Sequence, residues 1–324
     1  MHCEFVVPGL LSCASANRFP ALELLLARGR RRAGEASRLE TWLRQAFAVE
    51  TDTLAAGAIT CLAAGADPGA EFWLRADPVH MRLMRDRLLL LPGEALSLSA
   101  EEAAALCDAL NRHFAGVMEV RALDPRRWYA RFTRKEPVLD DIPALELAGR
   151  EIPLKGSFTE MAEIEMLLHA HPVNEAREAR GEPPVNYLWL WGGGRAPKAR
   201  SPWSAVLADE PLAQGLARLA RAGCRALPRA ADEWLGQAAP EGRALVVLDT
   251  LRAPAALEES QAFEKNLNDL EQAWFAPLLA ALRAGRVGMV TVHVPDGTTM
   301  VSCETVRGDL RRFWRRARQI SVYS

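Results

Sequence analysis

The chain has 324 residues, 49% of them apolar, with 40 basic against 41 acidic side chains and a net charge of −1. That is enough apolar material for a large core with a smaller unit attached. The charge is too evenly balanced for a general nucleic-acid binder or an acidic disordered chain. Six scattered cysteines without a C-x-x-C pair give neither a zinc ribbon nor a disulfide framework. The opening MHCEFVVPGLL is too short and too poor in positive charge for a signal peptide. No segment has the roughly 18 consecutive apolar residues of a membrane span. Together these features predict a soluble, cytoplasmic protein with no membrane partner. The cations are nearly all arginine, lysine occurring only at Lys135, Lys155, Lys198 and Lys265, so abundant arginine is a weak phosphate signal.

In chain order, Glu4–Val7 reads as a short buried strand ending in a Pro8-Gly9 turn. The spacing from Pro20 to Arg32 predicts a helix, with proline at its start and arginines in its last turn. Helical patterns continue from Ala36 to Ala64. At Glu71 the texture changes: strands are predicted over 72–78 and 87–91. Ser99 with Glu102 then opens a helix to Phe114 through a capping box, and paired strands follow over 117–121 and 128–132. This block predicts an inserted α+β unit at 71–150, flanked by core segments 1–70 and 151–324. Beyond it come a helix from Phe158 to Pro172, a short helix stopped by Gly181, and the apolar strand Tyr187–Trp191. A helix over 211–222, a strand over 244–248, a long helix over 258–284 and a strand over 287–294 complete the pattern. Apolar strands separated by helices predict a mostly parallel sheet covered on both faces.

Several clusters carry chemistry, each beside a plainer reading. Gly192-Gly193-Gly194 with Arg195 sits where a strand leaves a sheet, the place for an anion-binding loop, although it matches no phosphate-loop spacing; taken alone, a structural turn is the favoured reading. Glu165, His169 and His171 gather at one helix end as metal-ligand candidates or as compensation for the helix dipole. Asp77, Pro78, His80, Arg82, Arg85, Asp86 and Arg87 form a polar cluster, either facing a substrate or forming a solvated hairpin. Asp249 and His293 occupy strand ends, where catalytic side chains and turn formers both occur. Near the C-terminus, Arg311, Arg312, Trp314 and Arg315 could stack on nucleic acid. The alternative there is an amphipathic helix with Phe313 and Trp314 turned inward.

Three segments together carry a family resemblance: His171-Pro172-Val173-Asn174 with Arg177 and Gly181, then Asn186, then Gly192 and Gly194. They resemble the archaeal-type cofactor-independent phosphoglycerate mutases of the alkaline phosphatase superfamily. ADPVHMRLMRD, EIEMLLHAHPVN and LWLWGGG are similar to a bacterial group of RpfE-type regulatory and phosphoglycerate-mutase-like proteins. The resemblance implies an alkaline-phosphatase-like α/β sheet between helices with a small α+β insert. It also implies ligand-side roles for Asn174, Arg177, Asn186, Gly192, Gly193, Gly194 and Arg195, with a phosphorylated small molecule or a protein as partner.

The mutases use two metal ions held by aspartates and histidines at strand ends. Here the Asp-Gly of their first strand is replaced by Val7-Pro8-Gly9. Their Asp-x-x-x-His is reduced to Asp249 without a histidine, and their Asp-His pair to Val292-His293. Their arginine before the first glycine is Trp191. The departures predict no metal or other cofactor, and a non-catalytic regulatory or binding protein. The alternative is a phosphomutase or phosphatase with a rearranged site using Asp249, His293, His169 or His171 and Ser12 or Ser15. A weaker alternative is a nucleic-acid-associated protein acting through the C-terminal arginines.

Overall fold

The computed structural model describes residues 1–15, 17–51, 53–84, 87–133, 136–137, 139, 141–150, 159–236, 242–297 and 300–323. The chain divides into two compact units, Met1–Glu50 with Lys198–Ser324, and Thr51–Pro197. The first unit opens with β1 (His2–Val6), α1 (Pro20–Arg28), β2 (Arg30–Gly34) and α2 (Leu39–Ala46). The second holds α3 (Ala56–Ala63), β3 (Trp73–Met84), β4 (Arg87–Pro92), α4 (Ala100–His113), β5 (Met118–Asp124) and β6 (Arg127–Phe132). It closes with α5 (Thr159–His169), α6 (Pro172–Ala179) and β7 (Tyr187–Gly194). The chain then returns to the first unit with β8 (Ala205–Leu207), α7 (Pro211–Leu219), β9 (Gly223–Arg225), α8 (Ala231–Leu235) and β10 (Arg243–Val247). It ends with α9 (Arg252–Ala256), α10 (Ser260–Leu270), α11 (Ala276–Ala284), β11 (Met289–Pro295) and β12 (Met300–Val306).

The larger unit is built on a seven-stranded sheet in the order β2-β12-β11-β1-β10-β8-β9. The ladders from β11 to β9 are parallel, and β12 is antiparallel to both of its neighbours, β11 and β2. The α/β class expected from the resemblance, a mostly parallel sheet between helices, is what the unit adopts. Cys3, Phe5, Val246 and Val292 project from one sheet face into a core shared with Leu267, Phe275 and Leu278. Such continuous apolar runs are what strands buried on both faces require.

Two helices differ from the sequence reading. The 258–284 segment is interrupted by one π-turn at Glu271–Phe275. That turn aims the Glu271 carboxylate at the first amides of α1, Ala21 N (2.6 Å) and Leu22 N (3.1 Å), which have no partner within their own helix. Helix α1 stops at Arg28, and Arg30–Gly34 becomes an edge strand with every residue exposed. Gly29 packs against Thr305, Cys303 and Glu304 so closely that a Cβ there would overlap them. The chain is thereby turned onto β12, and arginines suit an exposed edge.

The smaller unit is antiparallel: β4-β3-β6-β5 form one sheet, with β7 also pairing β3. Ser99 and Glu102 make the expected capping box at the start of α4. Leu74, Leu106, Trp128 and Leu188 lie in its core. The division departs from the 71–150 insert read from the sequence. Helix α3 and strand β7, expected in the parallel core, belong to the smaller unit because β7 pairs along β3 from Tyr187–Val79 to Gly194–Trp73. An apolar strand does not reveal which sheet it will join. Among the described residues no helix is long and apolar enough to cross a membrane.

Candidate functional site

In the larger unit β1, β8, β10 and β11 are parallel, so their carboxyl ends share one edge of the sheet. That edge is where open α/β sheets place their chemistry. The end of β1 is apolar and packed: Val7, Pro8 and Gly9 are buried. Gly9 has φ +82°, and a Cβ there would lie 3.2 Å from the Leu251 carbonyl. Around this plug stand carboxylates. Glu210, at the N-terminus of α7, accepts from Leu212 N (3.0 Å) and Ala213 N (2.6 Å). Burial pushes its carboxyl up to about 7; Asp249 and Glu40 add to the rise and the two amides oppose it. Glu40 on α2 meets Arg252 on α9 at 2.5 Å, both side chains largely buried. The second Glu40 oxygen, Oε2, is buried without a hydrogen-bond partner.

His293 lies on the sheet face that also carries His2, Glu4 and Thr291. Its Nδ1 is 2.9 Å from Ser302 Oγ, and its Nε2 is 3.5 Å from Glu4 Oε2. The second separation is an ion-pair distance rather than a hydrogen bond, and Nε2 has no closer partner. Arg243 donates to Glu4 through Nε at 2.8 Å, and its Nη2 lies 2.7 Å from the same oxygen. Burial acts to raise the Glu4 carboxyl, but His293, Arg243 and His2 bring it down to about 2. His2, held to Thr291 Oγ1 at 2.9 Å, is lowered by burial. The Trp42 ring lies 5.0 Å from the imidazole of His293. The result is a serine–histidine–carboxylate chain lying along paired strands, whose backbone amides serve the ladder rather than a developing oxyanion.

Asp249 and His293 are not neighbours. Val6 pairs with Val247 on one side and His293 on the other, so β1 lies between them, two strand spacings or roughly 10 Å across. Of the two candidate serines, Ser12 is exposed on the loop after β1, and Ser15 is buried, accepting from Asn17 N.

The family-motif residues all lie in the smaller unit, and each has a local partner. Asn174 Nδ2 donates to Leu168 O and Val185 O, both at 2.7 Å, and its Oδ1 accepts from Val185 N. Arg177, with no exposed surface, donates to Pro183 O, Leu96 O and Glu102. Asn186 brackets the backbone of Met81, accepting from its N–H and donating to its carbonyl. Gly192 and Gly194 press on α3 and the residue before it: added Cβ atoms would meet those of Ala56 and Ala55 at 2.6 Å. Gly193 lies under Leu74 and Phe72. Arg195 bonds to Ala70 O and Glu136. These contacts hold the α6–β7 junction and the exit of β7.

The metal-ligand candidates do not gather. His171 caps α6, its Nδ1 accepting from Val173 N at 3.2 Å, and burial lowers its pKa. Glu165 and His169 are exposed on α5. Among the described residues no three histidine, cysteine, aspartate or glutamate side chains converge as a ligand set.

The Asp77–Arg87 cluster is not a solvated hairpin at Asp77, which is buried within β3 and pairs with Arg75 at 2.5 Å. Trp191 Nε1 donates to the same carboxylate at 2.6 Å, while the Arg75 guanidinium lies 5.4 Å from the Trp191 ring. Burial raises Asp77 in spite of Arg75. His80 bonds to Pro184 O and Arg82 is exposed; Arg85 and Asp86 lie outside the described residues. Glu4, Glu40, Glu210, Arg252 and Ser302 were missed in the sequence. Only Glu210-Pro211, an acidic cap before a helix-starting proline, carried a readable local signal.

No family model matches the sequence. Over 157 residues the chain is 26% identical to the 2,3-bisphosphoglycerate-independent phosphoglycerate mutase of Methanosarcina acetivorans, a stretch covering 43% of this chain and 40% of that protein. The chain thus matches less than half the length of the mutase. Among solved structures, the PH0037 protein of Pyrococcus horikoshii superposes with a TM-score of 0.54 at 12% identity, over 94% of this chain and 87% of the other. That superposition shows a shared fold. The cofactor-independent phosphoglycerate mutase of Thermoplasma acidophilum gives a TM-score of 0.43 at 17% identity, over 95% of this chain and 90% of the other.

Proposed function

We propose that this chain is a relative of the cofactor-independent phosphoglycerate mutases that acts as a non-catalytic, RpfE-type regulatory or binding protein. The observation that carries this reading is the Arg252–Glu40 pair, 2.5 Å apart at the edge where the mutases place metal ions. A guanidinium there supplies internally the positive charge that a divalent ion would bring. The donor set around it does not fit a metal pair. Val7 and Pro8 replace the first aspartate, and Glu210 has both oxygens on backbone amides. No histidine follows Asp249 within its turn.

The same edge sets three carboxyl groups, Glu40, Glu210 and Asp249, against Arg252, a balance that disfavours a phosphorylated ligand at that spot. This supports a macromolecular partner over a small phosphate. The test is a mutase and phosphatase assay of the purified chain with added Mn²⁺, run beside Asp249→Ala, and a thermal shift with 3-phosphoglycerate. The expected result is no turnover above the buffer rate and no shift. Mn²⁺-dependent turnover that disappears in Asp249→Ala would establish the rearranged phosphoryl-transfer enzyme instead.

A further inference from the structure

The segment from Arg307 to Arg318 carries six arginines and one acid, Asp309, in a protein whose net charge is −1. Its inward-facing amphipathic helix is not formed. A short 3-10 turn, Arg307–Arg311, is followed by an irregular stretch in which Phe313 is 77% and Trp314 66% exposed. The two rings touch edge to face, 5.3 Å apart at 82°. This exposure is built rather than frayed. Arg312 donates to Arg28 O at 3.3 Å and Arg315 to Gly29 O at 2.8 Å, which satisfies carbonyls at the C-terminal end of α1. Asp309 receives Arg312 at 2.8 Å, and Arg31 reaches Tyr323 O at 2.6 Å. Some arginines therefore clamp the segment, while Arg311, Arg316 and Arg318 stay exposed around the rings. The edge strand β2 brings Arg30, Arg31 and Arg32 to the same part of the unit. The acid in register there is Glu304, opposite Arg30.

We propose that this face binds an unpaired nucleic-acid strand, Phe313 and Trp314 stacking on bases and the surrounding arginines holding phosphates. Open aromatic faces need bases that are not already stacked in a duplex, and guanidiniums supply both phosphate contacts and stacking. A membrane surface is less well matched, because interfacial binding uses an amphipathic helix with a continuous apolar side, and this segment forms none. The inference names a partner class for the binding role proposed above and fails separately from it, since the assay for that role uses no nucleic acid.

The experiment is fluorescence anisotropy of the full chain with labelled oligo(dT) and oligo(rU) of about 20 nucleotides, a length that spans one or more typical single-strand sites. A duplex of equal length and phosphatidylserine vesicles are run alongside, in a salt series from ~50 mM upward. Both single strands are expected to bind more tightly than the duplex, and their relative affinity tells whether DNA or RNA is preferred. The logarithm of the binding constant should fall with that of salt by about 0.7 per phosphate engaged. Trp314→Ala and Phe313→Ala should each weaken binding about ten-fold. Arg316→Glu with Arg318→Glu should weaken it and flatten the salt slope. Circular dichroism checks that the variants stay folded. Duplex binding as tight as single-strand binding, affinity unchanged in Trp314→Ala, or binding to vesicles alone would each overturn the proposal.

Discussion

The motif residues of the smaller unit and the groups around the sheet edge and His293 in the larger unit are both polar and largely buried, and they differ in how their hydrogen-bonding capacity is filled. In the smaller unit every motif residue meets backbone: Asn174 bridges Leu168 and Val185, Asn186 brackets Met81, and Arg177 reaches two carbonyls and Glu102. In the larger unit Glu4 with His293 and Arg243, and Glu40 with Arg252, answer one another side chain to side chain, and Glu40 Oε2 and His293 Nε2 stay without a hydrogen-bond partner. Polar residues whose hydrogen bonds are filled by the local backbone are holding a fold together. Buried groups left with unfilled capacity call for an explanation beyond holding the fold.

The comparison breaks first at Arg177. If it is structural, Arg177→Ala leaves the Leu96 and Pro183 carbonyls without it, Glu102 keeping Arg180 and Ser99 N, and costs about 3–5 kcal/mol. Hydrogen–deuterium exchange should then show loss of protection in α6 and β7 first. Unchanged protection with loss of a bound anion would make it a ligand residue instead.

The pH response of the larger unit should come next in size. Glu210 is raised from an ordinary 4.5 to about 7. The folded state therefore holds a proton that the unfolded state has released, and stability declines as pH rises from 4.5 to about 7. The decline is about 3 kcal/mol at 1.36 kcal/mol per pKa unit. Urea midpoints across that range should flatten in Glu210→Gln.

Glu4 works in the opposite sense. It is lowered to about 2, so its stabilisation is complete above pH 4.5 and is lost as pH falls toward 2. That loss is about 2 kcal/mol once partial solvent screening is allowed for, and Glu4→Gln should remove this acid limb. From these two groups together, the larger unit is most stable near pH 4.5.

Glycines sharpen the comparison on a smaller scale. Gly192→Ala drives a Cβ to 2.6 Å from that of Ala56 at φ +60° and should cost about 2 kcal/mol. Gly181→Ala has the same handedness, φ +75°, but open space, and should cost about 1 kcal/mol. Equal thermal shifts for the two would mean that close packing does not explain the triple glycine.

Much of the local structure was legible in the chain. The Ser99–Glu102 capping box, the stop at Gly181, and the strands before Pro8 and Asp249 all rest on contacts a few residues long or on unbroken apolar runs. Strand β12 and the edge strand RRRAG were not, because an edge strand needs little apolar pattern and is made by its neighbour. The candidate site was legible only as positions. Asp249 and His293 do end or border strands, but nothing local announces that β1 separates them, or that Glu40 and Arg252, 212 residues apart, meet.

By itself the sequence determined the α/β class, the cap and stop signals, the concentration of arginines near the C-terminus and the apolar Val7-Pro8-Gly9 exit of the first strand. All of these follow from side-chain type and short-range periodicity. Tertiary structure alone decided that VNYLWLWGGG pairs with β3 in the smaller unit, that its glycines make room for Ala55 and Ala56, and that Phe313 and Trp314 face outward. The reason is physical. Which strand a strand joins, and which face of a segment is covered, depend on partners distant in the chain.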